Sequence, residues 1–303
     1  MSIKNKPKKP ERVPGRRVII EITTNGQNPD TVESIIERLK SYGLDIEIFV
    51  LKEEYDRHRY SAKEIVVPAN YRTPNNSKTK LRALQYGIEW LYAHGYGQET
   101  YIIHLDDDSI VEKDYIRYVF GMKGVAGQGE LRLREYGVHL LSTLADFIRV
   151  SDCDVYCKFF NSHGHARFVH GEGLTIRADV EYEIGWDYGT YGADDVLMGN
   201  KVSNKYGFER IPFHIFITPP VSAKDFYKQR RRWLMSVVYA RKELWKTSKT
   251  TSFLLFYRYV VGWTGIFGLA YLIYSLIAHP MFPWLILATS SFNTVSYFSI
   301  YQY

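Results

Sequence analysis

The sequence predicts an α/β domain built on a mostly parallel sheet with flanking helices, followed by a basic interfacial helix and a C-terminal transmembrane hairpin. Two patterns predict the domain: apolar strand-like runs alternate with helix-like segments, and a group of acidic residues directly follows one of the runs. A third pattern predicts the hairpin, because residues 259–303 contain no Asp, Glu, Lys or Arg. With 303 residues the chain is long enough for one large domain and a smaller part.

Composition and charge restrict the class of protein. Hydrophobic residues make up 46% and charged residues 24% of the chain, which excludes a largely disordered protein. The net charge of +6 is concentrated in residues 1–17 and 224–249, and such basic stretches suit phosphate groups or anionic lipid headgroups. Residues 1–16 lack an apolar segment, so we expect a flexible basic tail and not a signal peptide.

The predicted domain covers residues 17–223. Alternating apolar runs predict four strands, and apolar residues at helical spacing predict two long helices between them. In chain order these are a strand at 17–23, a helix at 30–40, strands at 44–51 and 64–68, a helix at 78–94 and a strand at 101–105. Parallel strands place their ligands at their carboxyl ends, so Thr24, Asn25, Glu53 and the acidic residues after the last strand are expected around one crevice. Neither a P-loop nor a GxGxxG motif is present, which argues against a P-loop kinase or a dinucleotide-binding dehydrogenase.

Three carboxylates, Asp106, Asp107 and Asp108, follow the apolar run at residues 101–105. Adjacent carboxylates repel and resist desolvation unless a cation lies among them. Asp106 and Asp108, two residues apart, suit Mg²⁺ or Mn²⁺ carrying a diphosphate, with Asp107 turned toward a ribose or solvent. The alternative is a solvated loop or the acidic first turn of a helix.

A second acidic pair, Asp194 and Asp195, stands where a helix is expected to begin. If Asp195 faces the same crevice, it can accept a proton from a hydroxyl that attacks a sugar. The alternative interpretation is a simple helix N-cap.

The basic stretch contains Gln-Arg-Arg-Arg-Trp at residues 229–233. On a helix, Gln229 and Arg232 share a face, and Trp233 lies one turn beyond Gln229. Arginine suits phosphate and tryptophan suits the face of a sugar. The alternative is a helix with a basic face on a membrane surface.

Taken in order, these motifs resemble those of the inverting, membrane-associated family 2 glycosyltransferases. Asp106/Asp108 matches their Asp-x-Asp motif, Asp194-Asp195 their base motif, and residues 229–233 their Gln-x-x-Arg-Trp motif. A closer resemblance is to the Egghead-type β-1,4-mannosyltransferases. It rests on residues 82–86, 104–106, 143–150 and 224–226, and spans about residues 18–235.

The resemblance implies a GT-A fold over residues 17–223, Mn²⁺ or Mg²⁺ bound by Asp106 and Asp108, and Asp195 as the catalytic base. The strand-end rule and the basic residues of the helix at 78–94, rather than the resemblance, predict the nucleotide-binding residues: Thr24, Asn25, Glu53, Lys80, Arg82 and Asp107. For the acceptor the resemblance implies a second set, with glycine allowing close backbone approach: Gly171, Glu172, Asp194, Gln229, Arg232 and Trp233. Lys80 and Arg82 alternatively belong to a solvated helix face.

Three departures from the subgroup leave the donor open between GDP-mannose and a UDP-sugar. Asp108 stands where a Glu is expected, Asp194 replaces a Glu, and residues 217–220 read Ile-Thr-Pro-Pro instead of Glu-Gln-Ser-Pro. The change of one carboxylate for another preserves the chemistry of inverting transfer.

The remaining candidate metal ligands give no clear pattern. Cys153 and Cys157 provide no disulfide framework and, without an evident histidine partner set, do not indicate zinc. His163, His165 and His170 lie in a glycine-containing loop, for which a surface or acceptor-loop role is favoured over a metal site.

Residues 224–252 are expected to form the interfacial segment and residues 253–303 the hairpin. The 20 uncharged residues from 259 to 278 would span about 30 Å as a helix. The basic flank predicts an integral membrane protein with its catalytic domain on the cytoplasmic face. The alternatives are a buried helical hairpin in the soluble domain, and a second segment that is re-entrant.

The sequence therefore predicts transfer of a hexose from a nucleotide-sugar to a hydroxyl of a lipid-linked or glycolipid acceptor at a membrane, with no nucleic acid involved. A processive polysaccharide synthase-like transferase, a two-metal nuclease or polymerase, and a non-catalytic membrane-tethered sugar-binding protein are the alternatives. A nuclease would require two metals held by separate strands.

Overall fold

The computed structural model describes residues 9–134, 140–190, 192–257 and 274. The chain divides into two compact units, residues 1–247 and residues 248–303. The first unit contains the whole sheet. In the second, residues 249–257 are helical.

The first unit is built on one eight-stranded sheet with the order β3-β2-β1-β4-β7-β6-β8-β5. The strands are β1 (Arg17–Thr23), β2 (Glu47–Glu53), β3 (Lys63–Val67), β4 (Thr100–Asp106), β5 (Ser109–Val111), β6 (Ala126–Leu133), β7 (Thr175–Arg177) and β8 (Glu209–Ile217). The helices are α1 (Pro29–Lys40), α2 (Thr79–Ala93), α3 (Lys113–Val119), α4 (Leu140–Asp152), α5 (Lys158–Ser162), α6 (Ala178–Ile184), α7 (Asp194–Tyr206) and α8 (Ala223–Thr247). A π-helical turn, Cys153–Cys157, joins α4 to α5.

The first half of the sheet forms as its sequence pattern predicts. Residues 18–22 of β1 are all buried, because helices cover both faces of a parallel sheet and its strands are therefore continuously apolar. Helix α1 buries the four apolar residues at positions 32, 35, 36 and 39 against it. Strand β2 is shifted relative to the prediction: it begins at Glu47, not at residue 44, because a turn in which Ile46 N donates to Leu44 O precedes it.

Parallel pairing aligns the strand ends that carry polar residues. β1 pairs in parallel with β2 and with β4, so that Thr23 lies beside both Leu51 and Asp106. The loop at Thr24 and the acidic residues after β4 therefore leave the sheet at the same edge, as the sequence predicted.

The second half of the sheet adds two reversed strands, but six of the eight described strands run in one direction, so the prediction of a mostly parallel sheet is confirmed. β7 is antiparallel to both β4 and β6, and β5 is antiparallel to β8, so the sheet as a whole is mixed. The chain returns to the sheet at the carboxyl end of β4, where Gly173 N donates to His104 O over 2.7 Å. A strand that enters from this edge must run opposite to β4, and this reversal carries Gly171 and Glu172 to the edge where Asp106 lies.

Within the part of the chain that the structure describes, none of the helices has both the length and the apolar character that crossing a bilayer requires. Most of the predicted hairpin, residues 258–273 and 275–303, lies outside the described residues.

Candidate active site

The site is organised around a lysine on α2 that contacts two acidic segments. Lys80 Nζ forms an ion pair with Asp106 at the end of β4, and lies 3.6 Å from Asp194 Oδ2 at the start of α7. Burial lowers the pKa of Lys80, but the charges of Asp106 and Asp194 outweigh burial and raise it above its ordinary value. Two motifs that are 88 positions apart in sequence, Asp106 and Asp194, thus meet at one cation.

The other two carboxylates after β4 are held in their neutral form more readily than ordinary aspartates. Burial, followed by repulsion from Asp106 and Glu172, raises the pKa of Asp108 to about 8. Burial and Asp106 also raise the pKa of Asp107, whose Oδ2 accepts a hydrogen bond of 3.3 Å from Thr24 Oγ1. One lysine does not neutralise this group of acids.

This excess of buried negative charge fits a divalent cation. Hard oxygen ligands suit Mg²⁺ and Mn²⁺, and a bound cation would remove the repulsion that disfavours ionised Asp108. Asp106 and Asp108 stay the predicted ligands for such a metal.

Asp195 enters the site through the first turn of α7. The residue before the helix, Ala193, has a φ of 54°, and a Cβ added to Gly192 would lie 2.1 Å from Ser236 Oγ of α8, so the loop lies directly against α8. Burial, and then the charge of Asp194, raise the pKa of Asp195 to about 7. Its Oδ1 accepts a hydrogen bond of 2.8 Å from Val196 N. Asp195 thus lies in the first turn of α7 and has a raised pKa of about 7, close to neutrality, as a general base requires.

The segment at residues 171–172 reaches the metal-binding edge from the opposite side. A Cβ added to Gly171 would lie 3.2 Å from Lys80 Nζ and 3.6 Å from Asp106 Oδ2, so glycine permits the close approach. Glu172 receives two hydrogen bonds from Arg149 Nη2 of α4, of 2.8 and 2.7 Å. Burial raises the pKa of Glu172, but Arg149 outweighs burial and lowers it to about 2. Glu172 is therefore a fixed anion and not a proton carrier.

Trp233 of α8 stands against this ion pair. The Arg149 guanidinium lies 4.9 Å from the Trp233 ring centroid and that of Arg230 lies 4.4 Å from it. Arg230 also forms an ion pair with the buried Asp146 of α4. The ring is thus held in place by two guanidinium groups.

The other two residues of the Gln-x-x-Arg-Trp motif differ in environment. Gln229 is half-buried, and its Oε1 is shielded from solvent without a hydrogen-bond partner among the described residues. Arg232 is exposed. Gln229 and Arg232 lie three residues apart on α8 and so share a face of the helix, as predicted, but the arginine of this motif that contacts the Trp233 ring is Arg230.

The residues predicted to bind the nucleotide fall into two groups. Thr24 contacts Asp107 and lies at the metal-binding edge. Asn25 closes its own turn by accepting a hydrogen bond of 2.9 Å from Gln27 N. Arg82 forms an ion pair with Glu53 at the end of β2 and donates to the carbonyl oxygens of Pro68 and Tyr71. Arg82 thus holds the end of β2. Lys80, two residues earlier on α2, contacts Asp106 and Asp194 instead.

A buried polar network beneath the site was not predicted as functional. His104 of β4 lies between Glu21 of β1, at 3.1 Å, and Glu181 of α6, at 3.0 Å, and Trp186 Nε1 donates to Glu181 over 2.7 Å. Burial lowers the pKa of His104, but Glu181 and Glu21 raise it to about 10. His104 and Asp106 are two residues apart on one strand, so this network supports the metal-binding end of β4 from below.

The prediction that the cysteines lack a histidine partner is wrong. Cys157 Sγ lies 3.2 Å from His170 Nε2, and Cys153 lies in the same cluster. Sequence spacing gave no signal for this cluster, because the π-helical turn and a distant loop bring it together. Of the three histidines in the loop, only His170 takes part; His163 Nδ1 instead pairs with Phe159 O at 2.7 Å.

Comparison with known proteins identifies the class to which this site belongs. The model of the family described as "Glycosyl transferase family group 2" matches residues 101–301, about two thirds of the chain. The chain belongs to this family of glycosyltransferases. The resemblance inferred from the motifs is thereby confirmed.

The names of the curated proteins to which the chain is similar are more specific than the family description. The chain is 29% identical over 239 residues to the Drosophila melanogaster protein "Beta-1,4-mannosyltransferase egh", and 27% identical over 238 residues to "Beta-1,4-mannosyltransferase bre-3" of Caenorhabditis elegans. Each match covers 73% of this chain and 52% of the relative. The chain thus matches about half the length of these curated relatives.

The fold is also shared with a solved structure, a mannosyltransferase from Pyrobaculum calidifontis described in complex with GDP-Man and Mn²⁺. The TM-score is 0.63, with 97% of this chain and 86% of the other chain covered. At 16% identity the similarity establishes the fold alone. It confirms a mixed α/β domain of the GT-A type.

Proposed function

We propose that this protein transfers mannose from GDP-mannose to a hydroxyl of a lipid-linked or membrane glycan acceptor, with inversion at the anomeric carbon. One observation carries the proposal: Lys80 joins the acidic end of β4 to the start of α7, so that a nucleotide-binding edge and a candidate base face one crevice. Gly171 lies at the same place and brings the acceptor side to it.

In this proposal Asp106 and Asp108 would hold Mn²⁺ or Mg²⁺ at the donor site. The bound cation supplies charge neutralisation for the departing nucleoside diphosphate. Thr24 and Asp107 position the nucleotide beside it, and Lys80 contributes a second positive charge within the same edge.

Asp195 serves as the general base. In a single inverting displacement it takes the proton of the acceptor hydroxyl as the oxygen attacks the anomeric carbon, and the diphosphate leaves on the opposite side. A pKa of about 7 makes a substantial fraction of Asp195 available as the base near neutral pH. Arg149 and Glu172 fix the wall of the acceptor site, and the Trp233 ring provides a surface for the acceptor sugar.

The mannose donor is supported by the mannosyltransferases to which the chain is similar, including one whose structure is described with GDP-Man and Mn²⁺. The replacement of Glu by Asp at 108 and 194 retains the carboxylates that this chemistry requires. A UDP-sugar donor is therefore the alternative outcome of a donor screen.

The proposal also includes the acceptor and the cellular location of the protein. The uncharged residues 259–303 and the basic residues 224–249 support an integral membrane protein with its catalytic domain on the cytoplasmic face. A lipid-borne acceptor would then reach the crevice from the membrane surface.

The donor test is calorimetric titration of the full chain with GDP-mannose, GDP-glucose, UDP-glucose and UDP-GlcNAc, with Mn²⁺ and after EDTA. We expect GDP-mannose to bind only with the metal present. D106N should abolish this binding, whereas D45N, an exposed aspartate in the loop before β2, should not. Metal-independent binding, or a preference for UDP-sugars, would contradict the metal or the donor assignment respectively.

The acceptor test is transfer of radiolabelled mannose to lipid-linked saccharides in detergent, with the product anomer determined by NMR. Transfer to free sugars but not to lipid acceptors would contradict the acceptor proposal. Donor binding without transfer to either acceptor class would favour a sugar-binding protein. Carbonate extraction of membranes checks the location: the full chain should stay in the pellet.

A further inference from the structure

A second group of potential metal ligands lies outside the acidic crevice. Cys153 and Cys157, at the two ends of the π-helical turn, converge with His170 from the loop before β7. Their sulfur and nitrogen atoms all lie within 4.8 Å of one another, and Cys157 Sγ lies 3.2 Å from His170 Nε2. We refer to these three residues as the thiol–imidazole cluster.

The spacing of the cluster is close to that of a tetrahedral metal site. With bonds of about 2.3 Å to sulfur and about 2.0 Å to nitrogen, two ligand atoms on one zinc ion lie about 3.5 Å apart. Small side-chain rotations therefore suffice to bring the three atoms onto one ion.

The histidine of the cluster is held by its backbone. His170 N donates to Gln128 Oε1 over 3.0 Å, and Gln128 Nε2 donates to the carbonyl oxygens of His170 and Glu172. Gln128 of β6 thereby holds the backbone on both sides of Gly171. Both cysteines lie on the π-helical turn between α4 and α5. Such turns interrupt α-helices frequently at functional sites.

Charge and ligand type favour a thiophilic dication. Cys153 is fully buried and Cys157 is 3% exposed, so a cation bound there would leave water. Two thiolates neutralise a divalent charge, and a neutral ion cluster is far less costly to bury than a free ion. Sulfur and imidazole ligands suit Zn²⁺, whereas the oxygen ligands of the acidic crevice suit Mg²⁺ and Mn²⁺.

We propose that Cys153, Cys157 and His170 form a Zn²⁺-binding site that is separate from the nucleotide-binding edge. On binding, each thiol forms a metal–sulfur bond and gives its proton to solvent, up to two protons per ion, and no electron is transferred. Three protein ligands leave the fourth tetrahedral position for a water molecule.

Such a site would tie together the two halves of the acceptor wall. Arg149 precedes the cysteines by one helical turn, and Glu172 follows His170 by two residues, so the ion would join the segments on which the Arg149–Glu172 ion pair is built. A bound metal would therefore hold the acceptor side in place without contacting the donor.

The test is optical titration of the reduced, metal-free full chain with Co²⁺ under anaerobic conditions. Thiolate ligands give an intense charge-transfer absorption in the near ultraviolet, which oxygen ligands do not. Because the chain has only two cysteines, this band reports on Cys153 and Cys157 alone. We expect the band to saturate at one equivalent of Co²⁺ and to disappear when one equivalent of Zn²⁺ is added.

Matched variants assign the ligands. C153S and C157S should each lose most of the band, and D108N, which alters the acidic crevice, should retain it. Circular dichroism shows whether the serine variants fold, and the wild-type titration stands by itself if they do not. No band in the wild-type protein at stoichiometric Co²⁺, or an undiminished band in folded C153S, would overturn the proposal, and the cluster would then be only a thiol–imidazole hydrogen bond.

Discussion

The two sides of the crevice are built in different ways. The proposed donor side consists of β1, β2 and β4, whose candidate residues directly follow parallel strands in sequence, and of α2, which contributes Lys80. The acceptor side consists of α4, the loop before β7, α7 and α8, whose residues meet only through ion pairs and ring contacts between distant segments. Under the proposed function, donor binding would thus depend mainly on local sequence, and acceptor binding on long-range packing. Changes on the two sides should therefore separate donor binding from transfer.

The largest effect is expected at Asp195, where the two sides of the crevice meet. A substitution there should slow transfer without weakening donor binding. In D195N the side chain keeps its size but cannot accept a proton. Transfer should slow by about 10²–10⁴-fold, while the dissociation constant for GDP-mannose with Mn²⁺ changes less than about threefold. Transfer rates and calorimetry check this pair of outcomes. A rate within a few-fold of wild type would mean that Asp195 only begins α7 and that the base lies elsewhere.

The next effect concerns the stability of the acceptor side. R149M leaves the buried Glu172 carboxylate without its cation, and breaking a buried pair in this way costs about 3–5 kcal/mol in the free energy of unfolding. The double variant R149M/E172Q removes the charge as well and should recover much of the loss. Urea unfolding of the four proteins in this cycle measures the coupling. If R149M/E172Q is no more stable than R149M, the ion pair is not the cause.

Alanine substitution of two glycines, one before and one after α7, tests whether the loop before α7 must lie directly against α8. Gly192 and Gly207 have similar φ values, 79° and 81°, but a Cβ would meet Ser236 Oγ at 2.1 Å only at Gly192; at Gly207 no atom lies within 4 Å. G207A should cost about 1–3 kcal/mol, because a φ of 81° with a ψ of 177° is a backbone conformation that residues with a Cβ rarely adopt. G192A should cost a further 1–3 kcal/mol, roughly, from overpacking. Equal losses for both variants in thermal unfolding would show that the loop can move away from α8.

The pH dependence of transfer sharpens the comparison further. Asp195 has a raised pKa, about 7, and acts as a base only when it is ionised. The value of kcat/KM for transfer should therefore fall about tenfold per unit as pH decreases below 7 and level off above it. Donor binding, measured in parallel, should not follow the same curve. A flat profile between pH 5.5 and 8 would contradict the assignment of Asp195.

The smallest effect lies on the donor side, at the sheet edge away from the crevice. Burial raises the pKa of Glu47, but hydrogen bonds from Lys63, Arg17 and Tyr96 outweigh burial and lower it to about 2 from 4.5. This carboxylate therefore stabilises the fold above pH 4.5, and the contribution is lost as pH falls toward 2. E47Q should lose at most about 1 kcal/mol at pH 7, because the partners are partly exposed.

Urea unfolding of E47Q and wild type at several pH values checks the sign. The difference between the two proteins should shrink as pH falls from 4.5 toward 2, and donor affinity should be the same in both. A difference that grows on acidification would contradict the lowered pKa of Glu47.

The sequence by itself determined the donor side of this protein. Period-two and period-3.6 patterns located β1, α1, α2 and β4, and since parallel strands end at one edge, the grouping of Thr24 with Asp107 followed without coordinates. The ordered motifs also identified the family. These features could be predicted because each depends on neighbours in sequence and on one general rule of sheet geometry.

Only the tertiary structure decided the acceptor side. The reversed direction of β7, the contact of Arg149 with the Trp233 ring, and the ion pair between Arg230 and Asp146 each join segments that are far apart in sequence. Side-chain type at one position does not reveal its partner in another helix or loop. The physical reason is that these contacts are fixed by the packing of α4, α7 and α8 around the sheet, which depends on the whole core and not on any local pattern.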